Sequence, residues 1–277
     1  MNVEDYGGGV SVAQTVGDRA TQQDDFGCLV AEEFTFVIIA DGMGGHEAGE
    51  EASEIVVEKF LGSITHLDKG YSLSQFQLAT SLANANEEIA TVIENQPDKA
   101  GMGSTVVVFY IDGNSMQWLS VGDSHVYRFR RNRLTKLNAD HSMKPMILEL
   151  AESGSIDASD VDSHPLRNTL RSAITGQTID LIDYPPEPLK VKKGDIYLLC
   201  SDGLDVLDHA AIEATIKRRK KFESSTICDE LLKAALNTPT TERDNTTLAV
   251  VKVCHGHRAG LSFPLNVVFY KYTGELS

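Results

Sequence analysis

Two stretches of the sequence end an apolar run on an aspartate followed by a glycine. They read IIADG at residues 38–42 and LCSDG at residues 199–203. A carboxylate at the end of a buried strand is costly unless something compensates its charge, and glycine lets the backbone come close to the compensating group. Two adjacent carboxylates raise each other's proton affinity unless a cation lies between them, and oxygen ligands suit Mg²⁺ or Mn²⁺ better than Zn²⁺. The two stretches therefore indicate a divalent-metal site.

Three more aspartates stand at the edges of predicted strands. Asp24 lies in the letters QDD, Asp123 in GDS and Asp244 in RDN. The ordinary interpretation of any one such aspartate is a turn, because Asp, Ser and Gly favour turns for their own conformational reasons. As a set beside buried strands, the aspartates favour the metal site.

Alternating groups of predicted strands and helices carry these aspartates. Strands are predicted at 10–16, 25–30, 34–40, 104–112, 115–123, 125–131 and 245–253 and in DIYLLCSDG, and helices at 48–64, 76–93, 146–152, 212–219 and 223–236. The three strands between residues 104 and 131 are expected to form an antiparallel meander. Helices come in pairs between groups of strands, which favours stacked sheets with helices outside them in one domain. The polar segment 140–176 is expected to be a mobile excursion from the core.

Composition limits the compartment and the partners of the chain. The 277 residues include 40 acidic and 25 basic side chains, for a formal charge of −15. That balance disfavours nucleic acids and anionic membranes as partners, because no basic stripe is left to neutralise phosphates. The cysteines Cys28, Cys200, Cys228 and Cys254 show no C-x-x-C spacing, which favours free thiols in a reducing compartment. With no leader peptide and no membrane-spanning run, the sequence predicts a cytoplasmic protein.

Taken in order, the motifs of the chain resemble those of the bacterial type 2C phosphatases, which are metal-dependent serine/threonine protein phosphatases. The motifs are R-x-x-x-x-D at Arg19–Asp24, DGMGGH at Asp41–His46, GST at Gly103–Thr105, GDS at Gly122–Ser124, LT at Leu134–Thr135, DHS at Asp140–Ser142, SDG at Ser201–Gly203 and DN at Asp244–Asn245. One Asp-Gly pair is weak support, but these motifs in this order extend over about residues 11–254. We therefore expect the chain to share the fold and chemistry of this family.

The resemblance implies an α+β fold: a four-layer α-β-β-α sandwich of two antiparallel β-sheets flanked by helices, with the metal site at one edge between the sheets. It implies a catalytic domain over residues 1–254 with a flap at about 140–176. Residues 255–277 would be a C-terminal extension of unknown role. For its tract LNVVFYKY, an added strand, a partner contact and a disordered end all stay open.

Carried over position by position, the metal ligands of the family fall on Asp24, Asp41, Asp202 and Asp244, with the carbonyl of Gly42. They imply two Mn²⁺ or Mg²⁺ ions, and Asp123 implies a third. Two such ions lower the pKa of a water held between them and direct it in line at a phosphate monoester. The resemblance thus implies hydrolysis without a nucleophile from the protein.

Arg19 is implied as the residue that clamps the phosphate, since a guanidinium matches the geometry of phosphate oxygens. The competing interpretation of Arg19 is a surface salt bridge with Asp18 or Asp24. The implied substrates are proteins that a serine/threonine kinase has phosphorylated on serine or threonine. The protein is expected to be a monomer.

Several positions depart from the family pattern. Gln23 stands where many relatives have Glu, which alters hydrogen bonding around the metals without removing it. Met43 replaces a histidine of the animal branch, so the proton for the leaving group must come from water or another group. His46 suits a helix cap or turn as well as catalysis, and His141 is expected to make structural hydrogen bonds. His125 replaces an arginine, which affects a packing or ion-pair contact.

Other interpretations compete with the phosphatase. A catalytically weak relative that acts as a phosphoprotein-binding regulatory module stays open, although the four retained aspartates argue against it. A nucleotide-binding loop at GMGG lacks both the G-x-G-x-x-G and the G-K-[ST] pattern. An aspartyl nucleophile at Asp41 would need a second acid where Met43 stands. The CHGH tract at 254–257 has metal-binding side chains, but without a partner cluster an exposed tail is expected.

Overall fold

A computed structural model describes residues 2–7, 9–31, 34–45, 47–65, 73–161, 163–253 and 268–270. The strands are β1 (Asn2–Gly7), β2 (Val10–Thr15), β3 (Asp24–Val30), β4 (Phe34–Met43), β5 (Gly103–Ser104), β6 (Val106–Asp112), β7 (Ser115–Val121), β8 (His125–Arg130), β9 (Arg133–Lys136), β10 (Leu189–Lys190), β11 (Ile196–Cys200), β12 (Thr246–Lys252) and β13 (Val268–Tyr270). The helices are α1 (Glu47–Thr65), α2 (Gln75–Asn95), α3 (Lys144–Glu152), α4 (His209–Arg219) and α5 (Ser224–Asn237).

The strands form two antiparallel sheets. The first sheet has the order β1-β2-β12-β11-β8-β9, and the second has the order β10-β7-β6-β4-β3-β13, with β5 added beside β4. Neighbouring strands are antiparallel throughout both sheets, as in the pairings of β4 with β3 and β6 and of β11 with β12 and β8. Each sheet therefore combines hairpins of consecutive strands with pairs of strands that are far apart in the sequence.

Three apolar layers separate four layers of structure. Successive side chains of a strand point to opposite faces, so Ile39 packs between the sheets while Ile38 packs toward α1 and α2. In the first sheet, Leu199 packs between the sheets and Leu198 packs toward α4 and α5. The layers are thus helices, sheet, sheet and helices, which confirms the predicted α-β-β-α sandwich.

The predicted meander of three strands is wrong. Strands β6 and β7 do form a hairpin, but β8 belongs to the other sheet. The chain crosses between the sheets at Gly122, whose φ of +105° favours glycine. A Cβ there would lie 2.6 Å from the side chain of Thr105. The crossing leaves Asp123 at the edge between the two sheets.

The described residues of the segment 140–176 form no strand of either sheet, but Ile174 is buried in the core between the second sheet and its helices, and the mobility of the segment stays a prediction. The segment contains α3 and a 3₁₀ turn at Ala158–Asp160. A bridge of Ser142 with Leu170 joins the two ends of the segment, and a bridge of Ser104 with Ile174 attaches it to β5. We call residues 140–176 the flap.

At the end of the described chain, β13 pairs with β3, so part of the LNVVFYKY tract adds a strand at the sheet edge. The CHGH tract at 254–257 lies outside the described residues. In the part of the chain that the structure describes, no helix combines the length and the apolarity needed to cross a membrane.

Candidate metal centre

The pairing of β3 with β4 places two of the predicted aspartates side by side. Asp24 stands directly opposite Asp41 in the register of the two strands. The N–H of Gly42 donates to the carbonyl of Gln23 at 3.0 Å, so the pairing continues past the aspartates. A slip of one residue would turn one of these side chains to the other face of the sheet.

Close backbone packing brings the other two aspartates together. Asp202 starts a 3₁₀ turn directly after β11, and Asp244 precedes β12, the neighbour of β11. A Cβ on Gly203 would lie only 2.0 Å from the carbonyl oxygen of Asn245. Only glycine permits this approach, which explains why a glycine follows Asp202.

Gly42 has the same role on the opposite sheet. A Cβ at Gly42 would lie 1.9 Å from the carbonyl oxygen of Gly49, in the first turns of α1. The carbonyl of Asp41 accepts a hydrogen bond from the N–H of Thr105 at 2.8 Å. The strand end that carries Asp41 is therefore held between α1 and the start of β6.

A cleft of about 610 Å³ opens at the edge between the two sheets. Arg19, Asp41, Asp123, Asp202 and Asp244 line it, together with Gly42 and residues of the flap. The structure thus brings together strand ends from both sheets, as the two Asp-Gly motifs suggested. Sequence reasoning missed Arg171 of the flap, which also lines the cleft and lies in the Arg-rich part of that segment.

Asp24 does not line the cleft. Its side chain is 4% exposed, and the hydroxyl of Ser201 donates to its Oδ2 at 2.7 Å. Its Oδ1 is buried and has no hydrogen-bond partner among the described residues. Burying a carboxylate oxygen without a partner is unfavourable, so this atom is suited to a cation.

The carboxylates strongly perturb one another. Burial and the charge of Asp24 raise the pKa of Asp41 well above its ordinary value. Burial and the charge of Asp244 raise the pKa of Asp202 to about 6, although a hydrogen bond with Asp41 opposes the rise. Burial raises the pKa of Asp24 to about 7, and burial with the charge of Asp202 raises that of Asp123 to about 8. The cluster therefore favours any added positive charge.

The donor set fits hard divalent ions. Carboxylates and a backbone carbonyl are the ligands that Mg²⁺ and Mn²⁺ prefer, and no cysteine or histidine of the described residues lines the cleft. Among the described residues, no group of three or more Asp, Glu, His or Cys side chains lies close enough together to hold a metal ion. The aspartates that line the cleft are thus of the type that these ions prefer, without forming a closed site.

The interpretation of Arg19 as a partner of Asp18 or Asp24 is wrong. Its Nη2 donates to Oδ2 of Asp244 at 2.8 Å, whereas Asp18 contacts Arg243. Hydrogen bonding to Asp244 raises the pKa of Arg19 further above its ordinary value. Arg19 therefore stands in the cleft as a cation beside a predicted metal ligand.

Sequence reasoning also missed Asp205, which follows Asp202 by three residues. Its carboxylate contacts Nε2 of His125 at 2.8 Å and Nζ of Lys144 at 3.1 Å. Burial alone would raise the pKa of Asp205, but these two partners outweigh it and hold the pKa well below its usual range. The contacts of Asp205 with His125 and Lys144 thus link β8, the Asp202 turn and α3 of the flap.

The other positions singled out in the sequence are His141, Gln23, Met43 and His46. The Nδ1 of His141 accepts a hydrogen bond from the N–H of Gly122 at 3.2 Å, as expected of a structural histidine. Gln23 and Met43 both line the cleft, and the amide of Gln23 donates to the carbonyl of Gly44 at 3.3 Å. His46 lies outside the described residues.

In EDTA, the protein should lose stability as the pH rises from about 5 to about 8. The pKa values of Asp202, Asp24 and Asp123, at about 6, 7 and 8, lie above the unfolded values near 3.9, so the folded protein holds protons that the unfolded chain has released. This contribution is complete below pH about 4 and disappears as the pH rises through the folded pKa values. Thermal melts at several pH values measure it.

Saturating Mn²⁺ is the control for this pH dependence. Metal binding requires deprotonated carboxylates, so stabilisation by Mn²⁺ should grow as the pH rises. A melting temperature in EDTA that is constant or increases between pH about 5 and 8 would contradict the raised pKa values.

The fold and the site together define a four-layer α-β-β-α protein with an acidic, metal-suited cleft at the edge between its sheets. Residues 14–249 match the protein phosphatase 2C family, and the chain belongs to that family.

Named relatives agree with this membership. The serine/threonine protein phosphatase PstP of Mycobacterium tuberculosis is 35% identical over 64% of this chain. The match covers only 33% of the length of PstP. The serine/threonine phosphatase stp of Listeria welshimeri is 31% identical over 67% of this chain and 73% of its own. The crystal structure of the PstP catalytic domain in complex with two manganese ions has a TM-score of 0.70 at 28% identity, covering 89% of this chain and 98% of that one.

Proposed function

We propose that this chain is a metal-dependent protein phosphatase that hydrolyses phosphoserine and phosphothreonine. The observation that carries the proposal is the convergence of strand-end aspartates from both sheets on one cleft, with Arg19 among them. Family membership and the phosphatase names of the relatives support it.

Asp41, Asp202, Asp244 and Asp24, with the carbonyl of Gly42, would hold two Mn²⁺ or Mg²⁺ ions. When bound, the ions supply a water of lowered pKa and neutralise charge on the phosphate. The two manganese ions of the PstP catalytic domain support this assignment. In this chain, burial and mutual repulsion keep the aspartates in an environment that favours cations.

Arg19 would orient the phosphate. Its side chain is 47% exposed, so it has room to donate to phosphate oxygens while another N–H group holds Asp244. Arg171 offers a second guanidinium from the flap side of the cleft. Two cations in the same cleft would fix the direction in which the phosphorus atom faces the aspartates.

The leaving oxygen would take its proton from water. Among the described residues, no His, Cys or Lys lines the cleft, whereas Met43 does. The cleft is open, so water reaches the leaving group directly.

We propose phosphoproteins made by a serine/threonine kinase as the substrates, because the relatives are named protein phosphatases. We propose that the enzyme is a monomer. We also propose that it is cytoplasmic, since Cys28, Cys200 and Cys228 are buried free thiols suited to a reducing compartment. The catalytic domain would extend over residues 1–254, with 255–277 as an extension.

Release of phosphate from synthetic peptides tests the proposal. With Mn²⁺, phosphoserine and phosphothreonine peptides should be hydrolysed, and the same sequences carrying phosphotyrosine should be poor substrates. Binding of the phosphopeptides without any hydrolysis would instead support a regulatory module that binds phosphoproteins.

Asp123 is proposed to hold a third, weaker ion. Asp123→Asn should keep the melting temperature and the two tight ions, yet lower turnover in a way that additional Mn²⁺ partly restores. An ion bound by few carboxylates and mostly water loses much of its affinity with one charge, whereas a turn hydrogen bond survives in Asn. Turnover measured across a Mn²⁺ titration distinguishes the two roles, and unchanged kinetics would make Asp123 a turn residue.

A further inference from the structure

The positive charge of this acidic chain is concentrated in three short stretches. Residues 128–133, 190–193 and 217–221 contain twelve of the 25 lysines and arginines and no Asp or Glu. The rest of the chain carries all 40 acidic side chains and the other 13 basic ones. We call these three stretches the basic pole.

The structure brings the three stretches to one end of the first sheet. Residues 128–133 form the turn between β8 and β9, and Arg130 binds Asp195 in the loop that follows residues 190–193. Lys220, just past the end of α4, donates to the side chain of Asn132 in that turn. Strand β11 leaves this end and reaches Asp202 after six residues, so the basic pole lies about 20 Å from the cleft.

An arginine-lined hollow lies within the basic pole. Its volume is about 330 Å³, and its walls are Arg128, Arg130, Arg131, Arg133, Thr135 and Lys192. Of these cations, only Arg130 forms an ion pair with a described residue, the buried Asp195. Arg128, Arg131, Arg133 and Lys192 are therefore available to bind an anion from another molecule. Guanidinium groups match phosphate oxygens in geometry.

An aromatic side chain projects from the same surface. Phe222 directly follows Lys217–Lys221 and is 49% exposed. Its ring lies 5.3 Å from the guanidinium of Arg219, which is held by Glu230 at 3.0 Å. Nζ of Lys252, at the end of β12, donates to the carbonyl of Phe222. These contacts fix the ring at the surface among lysines.

We propose that the basic pole docks the protein on an anionic lipid membrane. Lipid phosphates would enter the arginine hollow, and Phe222 would insert at the level of the headgroups, where basic and aromatic side chains are favoured together. A planar membrane contacts only the basic pole. A long polyanion that wraps around the protein would also contact the acidic rest of its surface and be repelled there. The cleft, about 20 Å away along β11, would stay open to substrates.

Flotation with lipid vesicles tests the proposal. The full chain should float with phosphatidylcholine vesicles that contain about 30% phosphatidylglycerol, should not float with phosphatidylcholine alone, and should be released by about 0.5 M NaCl. Replacing Lys217 and Lys221 by Gln should weaken binding about 25-fold, since each charge near an anionic surface contributes about 1 kcal/mol. Arg131→Gln with Arg133→Gln should have a similar effect, and Phe222→Ala should weaken binding further.

The matched control removes two positive charges elsewhere. Lys59 and Lys233 form exposed ion pairs outside the basic pole, so K59Q with K233Q changes the net charge equally and should leave flotation unchanged. Hydrolysis of p-nitrophenyl phosphate in solution should be the same for all of these variants. Absence of flotation at low salt, equal loss in the control, or tighter binding to single-stranded RNA or polyglutamate than to vesicles would overturn the proposal.

Discussion

EDTA should reduce the turnover of p-nitrophenyl phosphate and of phosphopeptides by at least about 1000-fold, and added Mn²⁺ should restore it. Without cations, the carboxylates of Asp202 and Asp244 repel a phosphate dianion, because like charges a few ångströms apart in a partly buried cleft interact strongly. The cleft offers no cysteine or histidine nucleophile among the described residues, since Cys28, Cys200 and Cys228 are buried. Initial rates across a metal titration provide the measurement.

Circular dichroism in EDTA controls for unfolding, because lost activity is informative only if the secondary structure persists. Full activity in EDTA, with metal content shown to be negligible, would mean that the chain hydrolyses phosphate by another route. An aspartyl nucleophile would then have to be reconsidered despite Met43.

Asp41→Asn and Asp202→Asn should each lower turnover by about 100-fold or more while leaving the fold intact. Each change removes the charge of a proposed metal ligand, yet Asn occupies nearly the same volume. Because the pKa of Asp41 is raised by burial and by its neighbours and that of Asp202 is raised to about 6, loss of one charge also relieves repulsion. The melting temperature in EDTA near pH 8 should therefore rise in both variants, while Mn²⁺ affinity measured by calorimetry falls.

Asp98→Asn is a suitable control, since Asp98 is an exposed residue of the 3₁₀ turn at Pro97–Lys99 outside the cleft. It should change neither turnover nor Mn²⁺ affinity. Wild-type rates in Asp41→Asn or Asp202→Asn would show that the site lies elsewhere. Reduced stability together with lost activity would mean that these aspartates maintain the fold.

Much of the site was predictable because strand ends leave a clear sequence signal. An apolar run that stops at Asp-Gly identified Asp41 and Asp202, and the structure places both in the cleft. The position of Asp24 was less predictable. The register of β3 and β4 puts its side chain on the same face as that of Asp41, but the structure buries it against Ser201 instead of in the cleft.

The crossover after β7 was not predictable from periodicity. A strand shows the same alternation whichever sheet it joins, so only the positive φ of Gly122, which sequence does not reveal, directs β8 to the other sheet. Strands β1 and β9 were missed because they are short and rich in polar residues. The net charge of the chain also did not reveal the basic pole, because a total charge contains no information on where the charged residues lie.

The contact of Asp205 with Lys144 connects two parts of the protein that have separate tasks. Lys144 begins α3 in the flap, and Asp205 belongs to the turn that starts with Asp202. If a ligand shifts the flap when it binds, this contact would transmit the shift to the turn, and an ion held at Asp202 would act on the flap in return. Thermodynamic reciprocity then requires that substrate binding change the affinity for the ion by the same factor as the ion changes the affinity for substrate.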